Sequence, residues 1–380
     1  MIHGGAQENT LLTLQGLKEQ TDWDVHFVCG SETGGEGSFL PQVEALGIPC
    51  HIVPELKRAI SPLDDLKAYQ WMRGLFQKQG FDFVHTHSSK AGVLGRLAAR
   101  HANVPCVVHT IHGLAFDDYQ PWWKRNLYRM AERIAADNCD RIITVCHAMR
   151  DAALAAEVGR AAQYQTIYSG FPLGPFLAVP PRKPQHGKFV LGMIARMFPM
   201  KGHEDLMKLA PKALARWPDL HFRIVGDGPL RPAWESWMRS TPDSERVTLA
   251  GRVPSQDVAG EIAQMDAVLH LSWREGLPRV VPQAIAAGRP VCVYEVGGVN
   301  EVVEQGKTGW MVEPGNSDAV LEAIAEIRDR ASPREAELGR QKVQEIFDHR
   351  RMQQQIIRFY EESVHPRKTV AIRAIPKFGS

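Results

Sequence analysis

The chain has 380 residues, with 45 Lys and Arg against 43 Asp and Glu, a formal net charge of +2. That near-balance leaves no global field to gather nucleic acid, and no stretch reaches the roughly 20 apolar residues of a membrane span. No charged-then-apolar leader opens the sequence. Its six cysteines are scattered at 29, 50, 106, 139, 146 and 292 without a Cys-x-x-Cys pair, so the expectation is a cytoplasmic protein with reduced, buried thiols.

At the start, Met1 stands directly before "HGGAQENT", a glycine turn leading into a helix near Ala6. A Rossmann-like unit places its central strand just before such a turn. That first strand is missing from the sequence, so the first sheet is expected to lack it unless the true start lies upstream. Strand-like runs follow at 24–29, 50–53, 81–87, 106–112 and 140–145, separated by amphipathic segments such as 61–79 and 122–137. The proline-rich stretch "SGFPLGPFLAVPPRKPQHGK" comes next. Proline halts helices and removes donors from strands, so 169–187 is read as a linker. A second series of strand-like runs lies at 188–195, 220–225, 247–251, 267–271 and 290–294. Such alternation predicts an α/β chain of parallel sheets with helices on both faces. Two Rossmann-like domains, 1–168 and 188–345, are expected to face a cleft. A last helix at 346–364 is expected to pack back on the first domain. The basic tail 365–380 is expected to fray.

Four features point into that cleft. Gly4 and Gly5 open a helix, where backbone amides can approach a phosphate. In "IARMFPMKG", Arg196 and Lys201 follow the first strand of the second domain, and ligands of α/β sheets bind at strand carboxyl ends. Two cations there would bracket an anion; two solvated surface charges are the plainer alternative. In "REGLPRVVPQAIAAGRP", Pro278 suits a first helical turn, and the amides of Arg279 and Val280 would then point out of the helix end. Glu275 lies just before that end and Gln283 about five residues beyond it, so one could reach a sugar and the other a ribose. A capping Glu275 and a half-exposed Gln283 would be the ordinary reading. Finally, "HTHSSKAG" and "HTIHGLAF" should gather His85, His87, Lys90, His109 and His112 near the cleft mouth. Without an evident third carboxylate or thiolate ligand, no metal is expected there.

Taken together with "VGDGPLR" and "LAGRV", these motifs resemble, along nearly the whole chain, the family 4 glycosyltransferases, retaining nucleotide-sugar enzymes of the GT-B fold. Any one motif is weak; their order and spacing are specific. The resemblance implies that Arg196 and Lys201 neutralise the diphosphate leaving group, approached from the first domain by Gly4 or Gly5. It implies that His112 stands near the transferred sugar and that Glu275, with the neighbouring Gly276 and Leu277, binds the sugar's hydroxyls. Gly251 and Arg252 match the region that receives the base. Gln283 departs from the pattern, because an acid usually holds the ribose at that position. His85, His87 and Lys90 become candidates for the acceptor side. The implied partners are a nucleotide-sugar donor, UDP-sugar favoured, and a glycan or lipid-linked acceptor; no cofactor and no bound metal are implied. Two other readings stand beside this one: an inactive sugar-nucleotide binder, favoured by Gln283, and an epimerase or hydrolase on the same fold. Trp122 and Trp123 beside Lys124 and Arg125 suit peripheral contact with a membrane, against the alternative that one Trp packs inside.

Overall fold

The computed structural model describes residues 4–31, 37–180, 187–330 and 332–363. Residues 1–3 and the basic tail, with the expectations attached to them, lie outside the described residues.

The first half builds two parallel pieces of sheet. Strands β1 (Phe27–Gly30) and β2 (Cys50–Val53) pair with each other, and β3 (Phe83–His87), β4 (Cys106–Ile111), β5 (Arg141–Thr144) and β6 (Tyr164–Thr166) pair in that order. Every pairing is parallel. Helices α1 (Gly5–Gln20), α2 (Leu40–Ala45), α3 (Pro62–Gln79), α4 (Ser89–His101), α5 (Trp122–Asp137) and α6 (His147–Ala155) connect them. The strand β4 is buried at every position, as expected of a strand covered on both faces.

The second half is one six-stranded parallel sheet. It is made of β7 (Phe189–Ile194), β8 (Leu220–Val225), β9 (Val247–Gly251), β10 (Ala267–His270), β11 (Val291–Tyr294) and β12 (Gly309–Val312). Their order is β12-β11-β10-β7-β8-β9. In that order the chain runs outward from β7 in one direction and then, from β10, in the other. The loops leaving β7 and β10 therefore diverge at the switch point, where doubly wound sheets bind ligands. The two-domain parallel α/β expectation matches this architecture. Short strands β6 and β12 are additions to it.

The proline-rich stretch is not a free tether where it is described. Helix α7 (Gly174–Leu177) forms within it. Phe171, Leu173, Phe176 and Val179 are buried against Val281, Ile285 and Val343 of the second domain's core. The intervening helices are α8 (His203–Arg216), α9 (Arg231–Ser240), α10 (Val258–Ala263), α11 (Val280–Ala286), α12 (Ser317–Arg330) and α13 (Pro333–Phe347).

Helix α14 (His349–Ser363) crosses back to the first domain. Its Met352, Ile356, Phe359 and Tyr360 share one core with Leu12 and Leu17 of α1 and with Val108 and Ile143 of the sheet. The Gln353 amide donates to the Leu12 carbonyl at 2.7 Å. A Cβ at Gly16 would come within 2.5 Å of the Gln353 side chain, so this close crossing requires glycine there.

Candidate functional site

The two domains face one open cleft of about 2350 Å³, lined from the first domain by Gly4, Gly5, His85, His87 and His112 and from the second by Arg196, Lys201, Glu275 and Gln283. Two loops at the switch point carry its charged groups. The loop after β7 presents Arg196 and Lys201, and the loop after β10 presents Glu275.

Lys201 Nζ contacts Glu275 Oε1 at 2.5 Å. Burial alone would raise the Glu275 pKa, but its polar partners reverse that, and the carboxyl is held at about 2. His270 stands 3.5 Å from the same oxygen, too far for a strong hydrogen bond, so we assign the lowering chiefly to the Lys201 ammonium. Glu275 is thus ionised at any physiological pH. His270 is an addition to the sequence expectations: it is buried, lines the cleft, and has neither ring nitrogen hydrogen-bonded.

The Arg196 loop is fixed from beneath. The Trp234 indole N–H donates to His203 Nδ1 at 3.1 Å, which leaves the ring proton on Nε2, where it donates to the Arg196 carbonyl at 3.0 Å. The Arg196 guanidinium lies 5.1 Å from the centre of the Phe198 ring. At Gly202, φ is +82° and an added Cβ would sit 2.2 Å from the Leu271 carbonyl oxygen. Only glycine lets the Lys201 loop approach the β10 strand end this closely. The next turn behaves alike: at Gly226, φ is +144° and a Cβ would meet the Ala195 oxygen at 1.9 Å. This gives "VGDGPLR" its physical content, since its glycines seat one cleft loop against another.

The stretch after Glu275 needs one correction. The helix α11 starts at Val280, with Arg279 as its N-cap. Pro278 therefore precedes the helix instead of occupying its first turn. The Val281 amide donates to the Pro278 carbonyl at 3.2 Å, and Pro282 has no N–H. An anion at this helix start would meet only the amides of Arg279 and Val280. Gln283 is the fourth helical residue and lines the cleft. Gly251, with φ +74°, accepts from the Gly226 amide at 2.7 Å, and Arg252 borders the cleft beside it.

Several contacts cross between domains, and local sequence patterns gave no sign of them. Arg279 Nη1 pairs with Glu8 Oε2 of α1 at 2.7 Å. A Cβ at Gly276 would meet the His112 carbonyl oxygen at 2.6 Å, so Gly276 lets the Glu275 loop rest on the first domain. Leu277 packs against that domain's core. Glu301 reaches the N-terminus of α6, accepting from the amides of His147 at 3.0 Å and Ala148 at 2.8 Å and from the Tyr168 hydroxyl at 2.6 Å. A carboxylate there satisfies orphan amides and faces the positive end of the helix dipole.

The histidines divide by strand alternation. His85 and His87 of β3 share one face, with ring centroids 4.2 Å apart. His85 Nε2 hydrogen-bonds with Thr110 Oγ1 at 2.7 Å, and its Nδ1 with the Tyr360 hydroxyl of α14. His87 Nδ1 hydrogen-bonds with His112 Nε2 at 3.0 Å. His109 does not join them at the cleft mouth. Successive strand residues face opposite sides, and His109 is buried on the α4 side, hydrogen-bonded with Thr86 Oγ1 at 2.8 Å. Lys90 pairs with Asp65 and donates to the Ala59 carbonyl. Among the described residues, no group of three or more His, Cys, Asp or Glu is arranged to hold a metal ion.

Burial lowers the pKa of His87 to about 4; burial, together with neighbouring histidines at His85, with Arg96 and the histidines at His109, and with His87 and Arg279 at His112, lowers those three well below 6.5. All four are neutral at pH 7. An unfolded chain takes up protons on these rings below about pH 6.5, while the folded chain does not until near pH 4 for His87. Stability is therefore expected to fall as pH drops from about 6.5 towards 4. Urea unfolding at pH 7 and pH 5 measures this, with the smaller free energy expected at pH 5.

Residues 4–170 match the family model described as glycosyl transferase 4-like domain, and residues 188–330 match that described as glycosyl transferases group 1. The chain is 28% identical over 336 residues to the Escherichia coli UDP-Gal:alpha-D-GlcNAc-diphosphoundecaprenol alpha-1,3-galactosyltransferase, covering 86% of this chain and 85% of that one. It is 25% identical to the capsular polysaccharide biosynthesis glycosyltransferase CapM of Staphylococcus aureus, covering 85% and 86%. Among solved structures, Anabaena HepE in complex with UDP-glucose superposes with a TM-score of 0.75 at 21% identity, covering 95% of this chain and 96% of that one.

Proposed function

Because the chain belongs to the family 4 glycosyltransferases and has their GT-B architecture, we propose that it moves a hexose from a UDP-sugar, with retention of anomeric configuration, to a glycan or lipid-linked acceptor in the synthesis of cell-surface polysaccharide or glycoconjugate. The observation that carries the reading is the meeting of Arg196, Lys201 and Glu275 in one cleft at the switch point of the second sheet. Breaking an anomeric C–O bond to a nucleoside diphosphate places positive charge on the sugar and negative charge on the departing oxygen. Lys201 keeps donors beyond the one given to Glu275, since an ammonium has three. Together with Arg196 it stabilises the departing diphosphate, and the Arg279 and Val280 amides add to that at the helix start. Glu275 accepts from the sugar's hydroxyls, Gln283 meets the ribose, and Gly251 with Arg252 borders the base. His112, neutral and beside His87, faces the transferred sugar.

Two relatives support the substrate classes. The E. coli relative acts, by its name, with UDP-galactose on a diphosphoundecaprenol-linked acceptor, and HepE was solved with UDP-glucose. The six free cysteines, five of them buried, fit a reducing compartment, so we place the reaction in the cytoplasm. The test is a thermal-shift panel of UDP-, GDP-, ADP- and TDP-sugars, followed by nucleotide release with and without acceptor. Stabilisation by a UDP-sugar and release that rises with a diphosphoundecaprenol-linked sugar are expected. Release at the same rate without acceptor would instead mark a hydrolase.

Gln283 sets one further expectation. An amide can still accept from one ribose hydroxyl and donate to another, but it gives up charge-assisted bonds of roughly 1.5–3 kcal/mol for neutral ones near 1 kcal/mol. Gln283→Glu is expected to keep activity and tighten UDP binding roughly tenfold, measured by calorimetry.

A further inference from the structure

Large apolar side chains are exposed on one domain almost alone. Twelve are exposed among the described residues, and all but Leu338 lie in the first domain. The densest group is on α5 and the turn before it: Tyr119 is 58% exposed, Trp122 72%, Trp123 57%, Leu127 52%, Met130 60% and Ile134 49%. Trp123, Leu127, Met130 and Ile134 follow spacings of four, three and four residues, which is one helical face. Glu132, Ala135 and Ala136 are buried on the opposite face. The alternative of a Trp packing inside therefore does not hold, since both tryptophans are more than half exposed.

Lys124 and Arg129 lie to either side of this apolar stripe, while Arg125 pairs with Asp118 at 2.5 Å and Arg133 with Glu157 at 2.7 Å. The only acid within the helix before its last residue is Glu132, which is turned inward and pairs with Arg96 at 2.6 Å. A second exposed apolar group, Ile60, Leu63 and Leu66, lies at the start of α3. Helices α3 and α5 flank α4, and Ile60 and Leu127 both line the cleft. The apolar surface thus continues to the rim of the candidate site.

We propose that the α5 face, extended by the start of α3, is a docking surface for an anionic lipid bilayer. The argument is charge complementarity. Arg125 and Arg133 are matched by the exposed Asp118 and Glu157, so two copies of the chain joined through this stripe would bring Lys124 and Arg129 against their own equivalents, with no acid of α5 facing them. A bilayer surface offers hydrocarbon for the tryptophans, Met130 and Ile134, and anionic headgroups for the cations. Long basic side chains reach the headgroups while their stems stay on apolar surface. The surface holds whatever sugar is transferred. Only its service in presenting a lipid-linked acceptor at the cleft rests on the proposed activity.

The test uses the full chain with two vesicle compositions, phosphatidylcholine alone and phosphatidylcholine with 30% phosphatidylglycerol, in a flotation assay. Binding to the anionic vesicles at about 0.1 M salt is expected, at least tenfold stronger than to the neutral ones. The double variant Trp122→Ser/Trp123→Ser and the double variant Met130→Glu/Ile134→Glu should each lower that binding by at least tenfold. Both should keep the parent's thermal unfolding and its stabilisation by UDP, because these residues are exposed and outside the cleft lining. Absence of binding to anionic vesicles overturns the proposal, as does unchanged binding by the variants. A concentration-dependent dimer that both variants dissolve would also overturn it, assigning the face to a second copy. Loss of UDP binding by the parent would count against the proposed activity instead, and leaves the vesicle result to be read alone.

Discussion

Lys201→Ala is expected to lower kcat/KM by about 10³-fold, the scale seen when one preorganised group opposite developing negative charge is removed. The effect belongs in kcat, because the ammonium meets more charge on the departing diphosphate than on the intact donor. A second consequence falls on Glu275. Without its partner at 2.5 Å, burial acts on the carboxyl with less opposition, and its pKa rises from about 2. The Glu275 side chain keeps 18% exposure, so the stability cost is set at about 1–3 kcal/mol, below that of a fully buried charge stripped of its partner. The pH–rate profile separates the two effects: the parent should show no acid limb from Glu275 above about pH 3, whereas the variant should acquire one at higher pH. Full turnover in Lys201→Ala would remove the leaving-group argument.

Glu275→Ala is expected to abolish measurable turnover, and Glu275→Gln to retain it at about a hundredth of the parent's kcat/KM. Glutamine preserves the reach and one acceptor oxygen but replaces charge-assisted bonds with neutral ones, at roughly 1–2 kcal/mol for each bond lost in strength. The sign for stability is opposite to intuition from burial alone. A carboxyl whose folded pKa lies below its ordinary 4.5 adds stability above that value and loses it as pH falls towards 2. Glu275→Ala is thus less stable than the parent at pH 7, and the difference shrinks at pH 3. Because Lys201 and Glu275 touch, the double variant should lose less than the sum of the two single losses, and a double-mutant cycle reads the coupling directly. A Glu275→Ala protein with more than a tenth of parental activity would remove this residue from the donor site.

The sheet architecture was legible because parallel, doubly covered strands are nearly continuous apolar runs: "PVCVY" and "AVLHL" announce β11 and β10 without help from the rest of the chain. Strand β6 escaped notice because it is only three residues long and its Tyr164, Gln165 and Thr166 make no apolar run. Strand β12 is as long as β10 and β11, but its run opens on Gly309 after the polar turn at 305–308, which reads as loop. Arg196, Lys201 and Glu275 were readable from their places just after strands, since topology brings strand ends together. Their supporting partners were not. Glu8 meets Arg279 across 271 residues of chain, and Trp234 reaches His203 across 31. No local pattern encodes which surface of one domain will lie against the other. The error over His109 is different in kind. Position relative to a strand end was judged correctly, but side-chain parity was not applied: with β3 and β4 in register, His109 stands opposite Thr86 and so faces away from His85 and His87.

The Glu301 contact has a consequence for how tightly any ligand is held. Its carboxylate belongs to the second domain and its donors to the first, so the interaction exists only while the domains touch. A donor gripped by both domains favours that same touching arrangement. The two are then thermodynamically reciprocal: the factor by which Glu301 raises the population of the joined form is the factor by which it raises apparent affinity, and the ligand strengthens the Glu301 contact in equal measure. Affinity for the nucleotide is therefore written partly in a residue that lies against helix α6 rather than among the groups assigned to the donor.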